Sequence, residues 1–171
     1  LLAEGVKAID LTLQTDLKSV SGTGDQGGGL VWRVQDTNNY YLARWNPLES
    51  NLRVYTVING KRQQLANVNV EADAARWHEL SIKQVGDVMR IEFDRMRMVC
   101  LVDTNVSGAG GVGLWTKADA VTLNLFKQAV NVILPILLGS QPTTYVSAFN
   151  SDEDEAAMAQ QNYLQGALVE N

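Results

Sequence analysis

Between residues 8 and 126 the chain breaks into ten short runs rich in Val, Ile, Thr, Tyr and Trp, punctuated by Gly, Asn and Asp. Runs of this kind form strands, because β-branched and aromatic side chains fit a pleated surface. The expected strands are Ala8–Leu17, Gly29–Gln35, Tyr40–Asn46, Leu52–Ile58, Gln64–Val70, Trp77–Gln84, Val88–Phe93, Met96–Val102, Val112–Lys117 and Val121–Phe126. Asn59-Gly60 is a type I′ hairpin signal, since both turn positions need positive φ. Gly86-Asp87 and Asp94-Arg95 mark two further tight turns. No long helical pattern alternates with the strands, which excludes a parallel α/β sheet. The expectation is an all-β, antiparallel, two-sheet sandwich or jelly roll.

After Phe126 the pattern changes. Lys127–Leu138 is apolar and reads as a short helix or a strand, and residues 139–150 read as a linker. Ser151 followed by Asp152-Glu153-Asp154-Glu155 is a helix start, in which Ser caps free amides and the acids face the positive end of the helix dipole. A helix is expected over residues 152–167. The predicted organisation is therefore a sandwich over residues 1–126 and a partly helical extension over residues 127–171. The charge divides the same way. The chain carries −5 overall, but residues 1–126 are within one unit of neutrality and residues 127–171 hold one Lys against five acids. A near-neutral sandwich lacks the basic footprint of a nucleic-acid binder. No run reaches the ~18 apolar residues that span a bilayer. The chain opens on Leu1 and not on Met, which is expected of a processed or incompletely represented N-terminus.

Chemistry-bearing residues are densest between Gly27 and Arg53. Side chains alternate faces along a strand. Val31, Arg33 and Gln35 are expected to share one face, as are Tyr40, Leu42, Arg44 and Asn46, and likewise Arg53, Tyr55 and Val57. If these strands are neighbours, Arg33, Arg44 and Arg53 project from one sheet, with Trp115 and Lys117 sharing a face of a later strand. Such a surface suits a sugar: aromatic rings pack on the apolar face of a pyranose, and guanidinium or amide groups bond hydroxyls. Two other readings stand beside it. The arginines can pair with Glu49, Asp36 and Asp119 on a solvated face, or together hold an anion.

A glycosidase would usually need two carboxyl groups flanking the scissile bond. Glu49 and Asp36, both near strand ends, are the candidate pair. His78 is the only histidine and Cys100 the only cysteine. With no G-x-S-x-G elbow present, His78 is expected to be structural and Cys100 a buried core thiol. A lone cysteine excludes intrachain disulfides and Cys-based zinc sites. No cofactor is expected; loop Asp and Asn allow a calcium site, but no EF-hand spacing indicates one. Gly27-Gly28-Gly29 is not a phosphate loop, for no Lys-Ser/Thr follows it.

Three segments carry a family resemblance: GGGLVWRVQDTNNYYLARWNPLESNLRVYTVINGKRQQLA, WHELSIKQVGDVMRIEFD and GGVGLWTKADAVT. Together they resemble the DUF1080 group, the 3-keto-disaccharide hydrolase domain of the concanavalin A-like lectin/glucanase (laminin-G-like) superfamily, over roughly residues 8–126. The resemblance implies a jelly roll with a concave face often used for carbohydrate. It also implies an affinity with secreted bacterial proteins, so a secreted or periplasmic location is expected, and some relatives hydrolyse 3-keto-glycosides. Arg44, Asn46, Glu49, Trp115, Lys117 and Asp119 fall inside its motifs. The chain departs from the group at its last strand, where Thr122-Leu123-Asn124-Leu125-Phe126 replaces an acidic T-Y-F-D-D ending. The functional expectation is a carbohydrate-binding jelly roll with ligand residues Arg33, Tyr40, Arg44, Asn46, Arg53, Trp115, Lys117 and Asp119, and glycoside hydrolysis by Glu49 and Asp36 as an added activity. The alternative is an assembly protein whose extension docks on a neighbouring copy to form a homo-oligomer.

Overall fold

Tight turns set the topology. In a computed structural model that describes residues 1–117 and the backbone of 121–132, Asn59 and Gly60 take φ of 51° and 74°, and Asp94 and Arg95 take 49° and 65°. These are the positive values that let a two-residue turn follow the twist of its strands. The hairpins they close belong to ten strands: β1 (Leu11–Ser21), β2 (Gly28–Asp36), β3 (Asn39–Asn46), β4 (Asn51–Ile58), β5 (Lys61–Asn69), β6 (His78–Val85), β7 (Val88–Phe93), β8 (Met96–Val102), β9 (Gly111–Thr116) and β10 (Val121–Val132). They form two five-stranded antiparallel sheets, a front sheet in the order β5-β4-β3-β2-β9 and a back sheet in the order β10-β1-β6-β7-β8. The fold is an antiparallel jelly-roll sandwich. Among the described residues no helix is long and apolar enough to cross a membrane.

Alternation builds the core. On β3, Tyr41, Ala43 and Trp45 are fully buried between the sheets, and Leu52 and Val54 of β4 continue their rows. Leu13, Leu17, Leu80, Ile82 and Ile91 of the back sheet meet them in one apolar cluster. Trp32 Nε1 donates to Gln84 Oε1 across the sheets at 2.6 Å, which satisfies two buried polar groups at once. The segment before β1 adds to the free edge of β9: Ala3 N donates to Val112 O and Leu114 N to Leu1 O, both at 2.8 Å. Gly113 permits this approach, for a Cβ there would strike the Leu1 backbone.

Three expectations need revision. Cys100 is exposed on β8, because Val99 takes the inward position and Cys100 the opposite one. The last strand, expected to end at Phe126, runs on as β10 to Val132, with Leu11 opposite Val132, so of the two readings of Lys127–Leu138 the strand holds over residues 127–132; the expected helix at 152–167 lies outside the described residues. The third concerns β2. Alternation fails at Arg33, whose φ is 48° and where the pairing register with both β3 and β9 slips. A residue of this kind re-aims its side chain. Arg33 therefore turns to the end of the core and does not share a face with Arg44 and Arg53.

Candidate functional site

The front sheet's outer face carries the site. Pairing places Trp115, Gly29, Arg44, Arg53 and Asn67 in one row across five strands, and Val31, Leu42 and Tyr55 in the next. Val31, Leu42 and Tyr55 form a small apolar cluster on this outer side, with Val34, Tyr40 and Trp115 packed against it. The Arg62 guanidinium lies 4.6 Å from the Tyr55 ring centroid, within cation–π range.

Glu49 is delivered over this row by a 3-10 turn, Pro47–Glu49. Its sequence explains its shape. Asn46 Oδ1 accepts from Leu48 N at 3.0 Å as the cap, Pro47 supplies the fixed φ of a first helical position, and Ser50 closes the turn in the left-handed region at φ 48°. The Asn46 amide also donates to Asp25 Oδ1 at 3.0 Å and so ties the neighbouring loop to the turn. The carboxylate then meets two guanidiniums. Glu49 Oε2 accepts from Arg44 Nη2 at 2.8 Å, stands 3.0 Å from Arg53 Nη1, and accepts from Asn51 Nδ2 at 3.0 Å. Arg53 Nε donates to Asn67 Oδ1 at 3.0 Å.

Electrostatics fix the charge states. The Arg44 hydrogen bond, and after it that from Asn51, hold the Glu49 carboxyl below the usual carboxylate range. Burial opposes the charge on Arg44, but the bond to Glu49 and the neighbouring Tyr55 more than offset it, so its pKa is raised. Glu49 is thus an ionised acceptor. All three of its contacts fall on Oε2, which leaves Oε1 to accept from a ligand. Beneath it the network is incomplete: Arg44 Nη1 and Asn51 Oδ1 are buried without hydrogen-bond partners. Each side chain reaches Glu49 Oε2 through its other terminal atom, Arg44 Nη2 and Asn51 Nδ2.

The sequence-predicted residues divide as follows. Arg44, Asn46, Glu49 and Arg53 meet in the network. Trp115 and Tyr40 flank it on the apolar cluster. Lys117 stands exposed just beyond β9, its amide bonded to Gly27 O. Asn46 is fully engaged as cap and tether, so its work is to position. Asp119 lies outside the described residues. Arg33 is elsewhere, donating to the carbonyls of Ile9, Val106 and Gly86. Asp36 is elsewhere too, accepting from Asn38 N and the Asn39 amide in the β2–β3 turn; those bonds, the Asn38 amide first, lower its pKa. Glu49 follows the opposite end of β3. At ~3.3 Å per residue the strand separates the two carboxyls by roughly 20 Å, beyond the ~5–10 Å of a glycosidase pair. Tyr55, Asn51 and Asn67 join the site although only Tyr55 was placed on this face from sequence. Asn51 sits two residues before Arg53, so the same alternation points to it.

His78 is built into the framework. Nδ1 lies 2.7 Å from Asp94 Oδ2 and Nε2 lies 2.8 Å from Asp73 O, with the ring packed between Trp45 and Phe93. Among the described residues no three His, Cys, Asp or Glu side chains cluster as metal ligands would.

Comparison with known proteins agrees with this architecture. No family model matches the chain, so the resemblance to the 3-keto-disaccharide hydrolase domain rests on its motifs. A levanase from Bacillus subtilis is 26% identical over 122 residues, covering 70% of this chain. The chain spans only 18% of that enzyme's length. Among solved structures, a carbohydrate-binding module of Bacillus subtilis, CBM66, superposes with a TM-score of 0.64 at 24% identity, covering 70% of this chain and 74% of the module. A galectin from Caenorhabditis elegans superposes at 0.55 with 11% identity, covering 72% of this chain and 85% of the galectin. These likenesses establish the shared sandwich.

Proposed function

We propose that this chain is a carbohydrate-binding module whose ligand rests on the outer face of the front sheet. The observation that carries the reading is the unfinished Arg44–Glu49–Arg53 network beside an aromatic and apolar row. A buried donor or acceptor left without a partner costs roughly 1–3 kcal/mol, which marks a network that something else completes. Adjacent hydroxyls of a sugar both donate and accept, and so match Glu49 Oε1 and the partly exposed Arg53 guanidinium together. Glu49 neutralises part of the charge of the two guanidiniums and adds an acceptor among their donors, a mixture that suits hydroxyl groups. Trp115, Tyr40 and the Tyr55 cluster supply the apolar surface on which a sugar ring packs. The solved carbohydrate-binding module of the same fold supports the reading, and the levanase relative makes levan the first ligand to test.

Binding is the better-supported activity, and hydrolysis of a 3-keto-disaccharide the weaker one. A general acid needs a carboxyl that keeps its proton near the working pH, whereas Glu49 is held ionised and Asp36 is remote. An extracellular or periplasmic location fits a binder of polysaccharide. The alternative, assembly through the extension over residues 127–171, falls on β10 as far as Val132 and beyond that on residues outside those described.

Calorimetric titration of levan and a panel of neutral polysaccharides into the full chain tests the proposal. The expected result is saturable binding to at least one, weakened about tenfold or more by Arg53→Ala, because a hydrogen bond to a charged group contributes roughly 1.5–3 kcal/mol. No binding across the panel, or binding that Arg53→Ala leaves intact, sinks it.

A further inference from the structure

A second feature of the same face has no part in the polar network. A groove of about 710 Å³ runs from Trp115 along β2 and β9 to the segment before β1. Its walls are apolar: Leu1, Leu2, Val31, Val34 and Leu114 line it together with Trp115. The outer wall is held in place by backbone pairing, since Leu114 N donates to Leu1 O and Ala3 N to Val112 O, both at 2.8 Å. The volume falls within the range of small-molecule pockets.

Two of its polar lining residues are turned to other work. The Gln35 amide donates to the carbonyls of Gly108 and Ala109. The Asp36 carboxylate is occupied by the β2–β3 turn. Lys7, the amino group of Leu1 and the Thr37 and Tyr40 hydroxyls are the few other polar groups along it. A second sugar ring would bring several hydroxyls here and leave most without partners, at the cost that attends unpaired polar groups. An alkyl or aryl group loses nothing by that. The groove is continuous with the polar network, because Trp115 lines it and is paired across to Gly29, the neighbour of Arg44.

We propose that this groove takes the apolar aglycone of an amphipathic glycoside whose sugar is held by Arg44, Glu49 and Arg53. The inference rests on the carbohydrate reading and adds the substrate class: an alkyl or aryl glycoside, including the head of a glycolipid.

Methyl and octyl glycosides of fructose, glucose and galactose, titrated into the full chain, test it. For the sugar that binds, the octyl compound is expected to bind at least about tenfold more tightly than the methyl compound, given the free energy of burying methylenes. Gly111→Val, which narrows the groove from β9 where a Cβ would stand in ordinary contact with Val34 at 3.7 Å, is expected to abolish that difference and leave the methyl glycoside's affinity unchanged. Leu2→Trp fills the same space from the opposite wall; it serves should Gly111→Val fail to melt cooperatively. Equal affinity of methyl and octyl compounds overturns this proposal alone, whether residues 133–171 or a second copy, visible by light scattering, fills the groove. Octyl binding that is indifferent to the sugar and to Arg53→Ala also overturns it, since the groove then acts apart from the network. Failure of every glycoside and every polysaccharide to bind overturns both readings.

Discussion

Arg33 and Arg44 are both buried arginines of the front sheet, on the adjacent strands β2 and β3, and they do opposite things. Every nitrogen of the Arg33 guanidinium meets a backbone carbonyl, from Ile9, Val106 and Gly86, with Asp10 3.8 Å away. Arg44 has one bond to Glu49 and a buried nitrogen with no partner. Composition and spacing treat the two alike. What separates them is whether the donor set is complete. A saturated guanidinium locks three loops together; an unsaturated one at a surface network is available for recognition.

Breaking the saturated arginine has the largest expected effect. Arg33→Met is expected to cost about 3–5 kcal/mol of stability, as when one partner of a buried charged network is removed. Burial already pushes the Arg33 pKa down, so its bonds to carbonyls compensate a real desolvation penalty. Urea denaturation measures the loss. A change under about 1 kcal/mol removes the assignment of Arg33 as a structural pin.

Arg44→Lys is the matched experiment at the other end. The ammonium keeps the charge but cannot reach two partners as a planar fork does. Saccharide affinity is expected to fall about tenfold to a hundredfold, while urea stability shifts by no more than about 1 kcal/mol. A large stability loss with unaltered affinity would place Arg44 beside Arg33 and end the distinction.

Much of this contrast was open to the sequence and one part was not. Strict alternation put Tyr40, Leu42, Arg44 and Asn46 on one face, and Asn59-Gly60 fixed the β4–β5 hairpin; both are local rules and both hold. The same rule misplaced Arg33, because a single positive φ reverses every side chain beyond it, and an arginine carries no composition signal for that conformation. Gly29, by contrast, lies where a Cβ would strike the Ala43–Arg44 backbone, so its identity does report the close approach of β2 to β3. Glu49 and Asp36 looked equivalent as loop acids. Only the length of β3 between them shows that they cannot flank one bond. The bridging of two arginines by Glu49 depends on a 3-10 turn whose cap, Asn46, is readable from Asn-Pro but whose aim is set by tertiary pairing.

Acid sharpens the comparison by acting on one network and not the other. The Glu49 folded-state pKa lies below its ordinary 4.5. Its contribution is therefore complete above that value and is lost as the pH falls through the lower folded one. Saccharide affinity is expected to hold from neutral pH to about 4.5 and to weaken below it, with Glu49→Gln flattening the profile. Global stability should respond little at this step, since Glu49 is 40% exposed and surface ion pairs contribute weakly. Affinity that declines well above pH 4.5 would show that some other group controls the site.

The smallest expected effect is that of a chelator. A cation would need oxygen ligands free of competing charge. Here Glu49 Oε2 is already held by two guanidiniums and an amide, and Asp25 Oδ1 accepts from Gly27 N and the Asn46 amide. The arginines would repel a divalent ion at the one oxygen left, Glu49 Oε1. Saccharide affinity measured in EDTA is therefore expected to equal that measured in calcium. If EDTA abolished binding and calcium restored it, recognition would run through a cation at a different cluster. The unfinished bonds of Arg44 and Asn51 would then need another explanation.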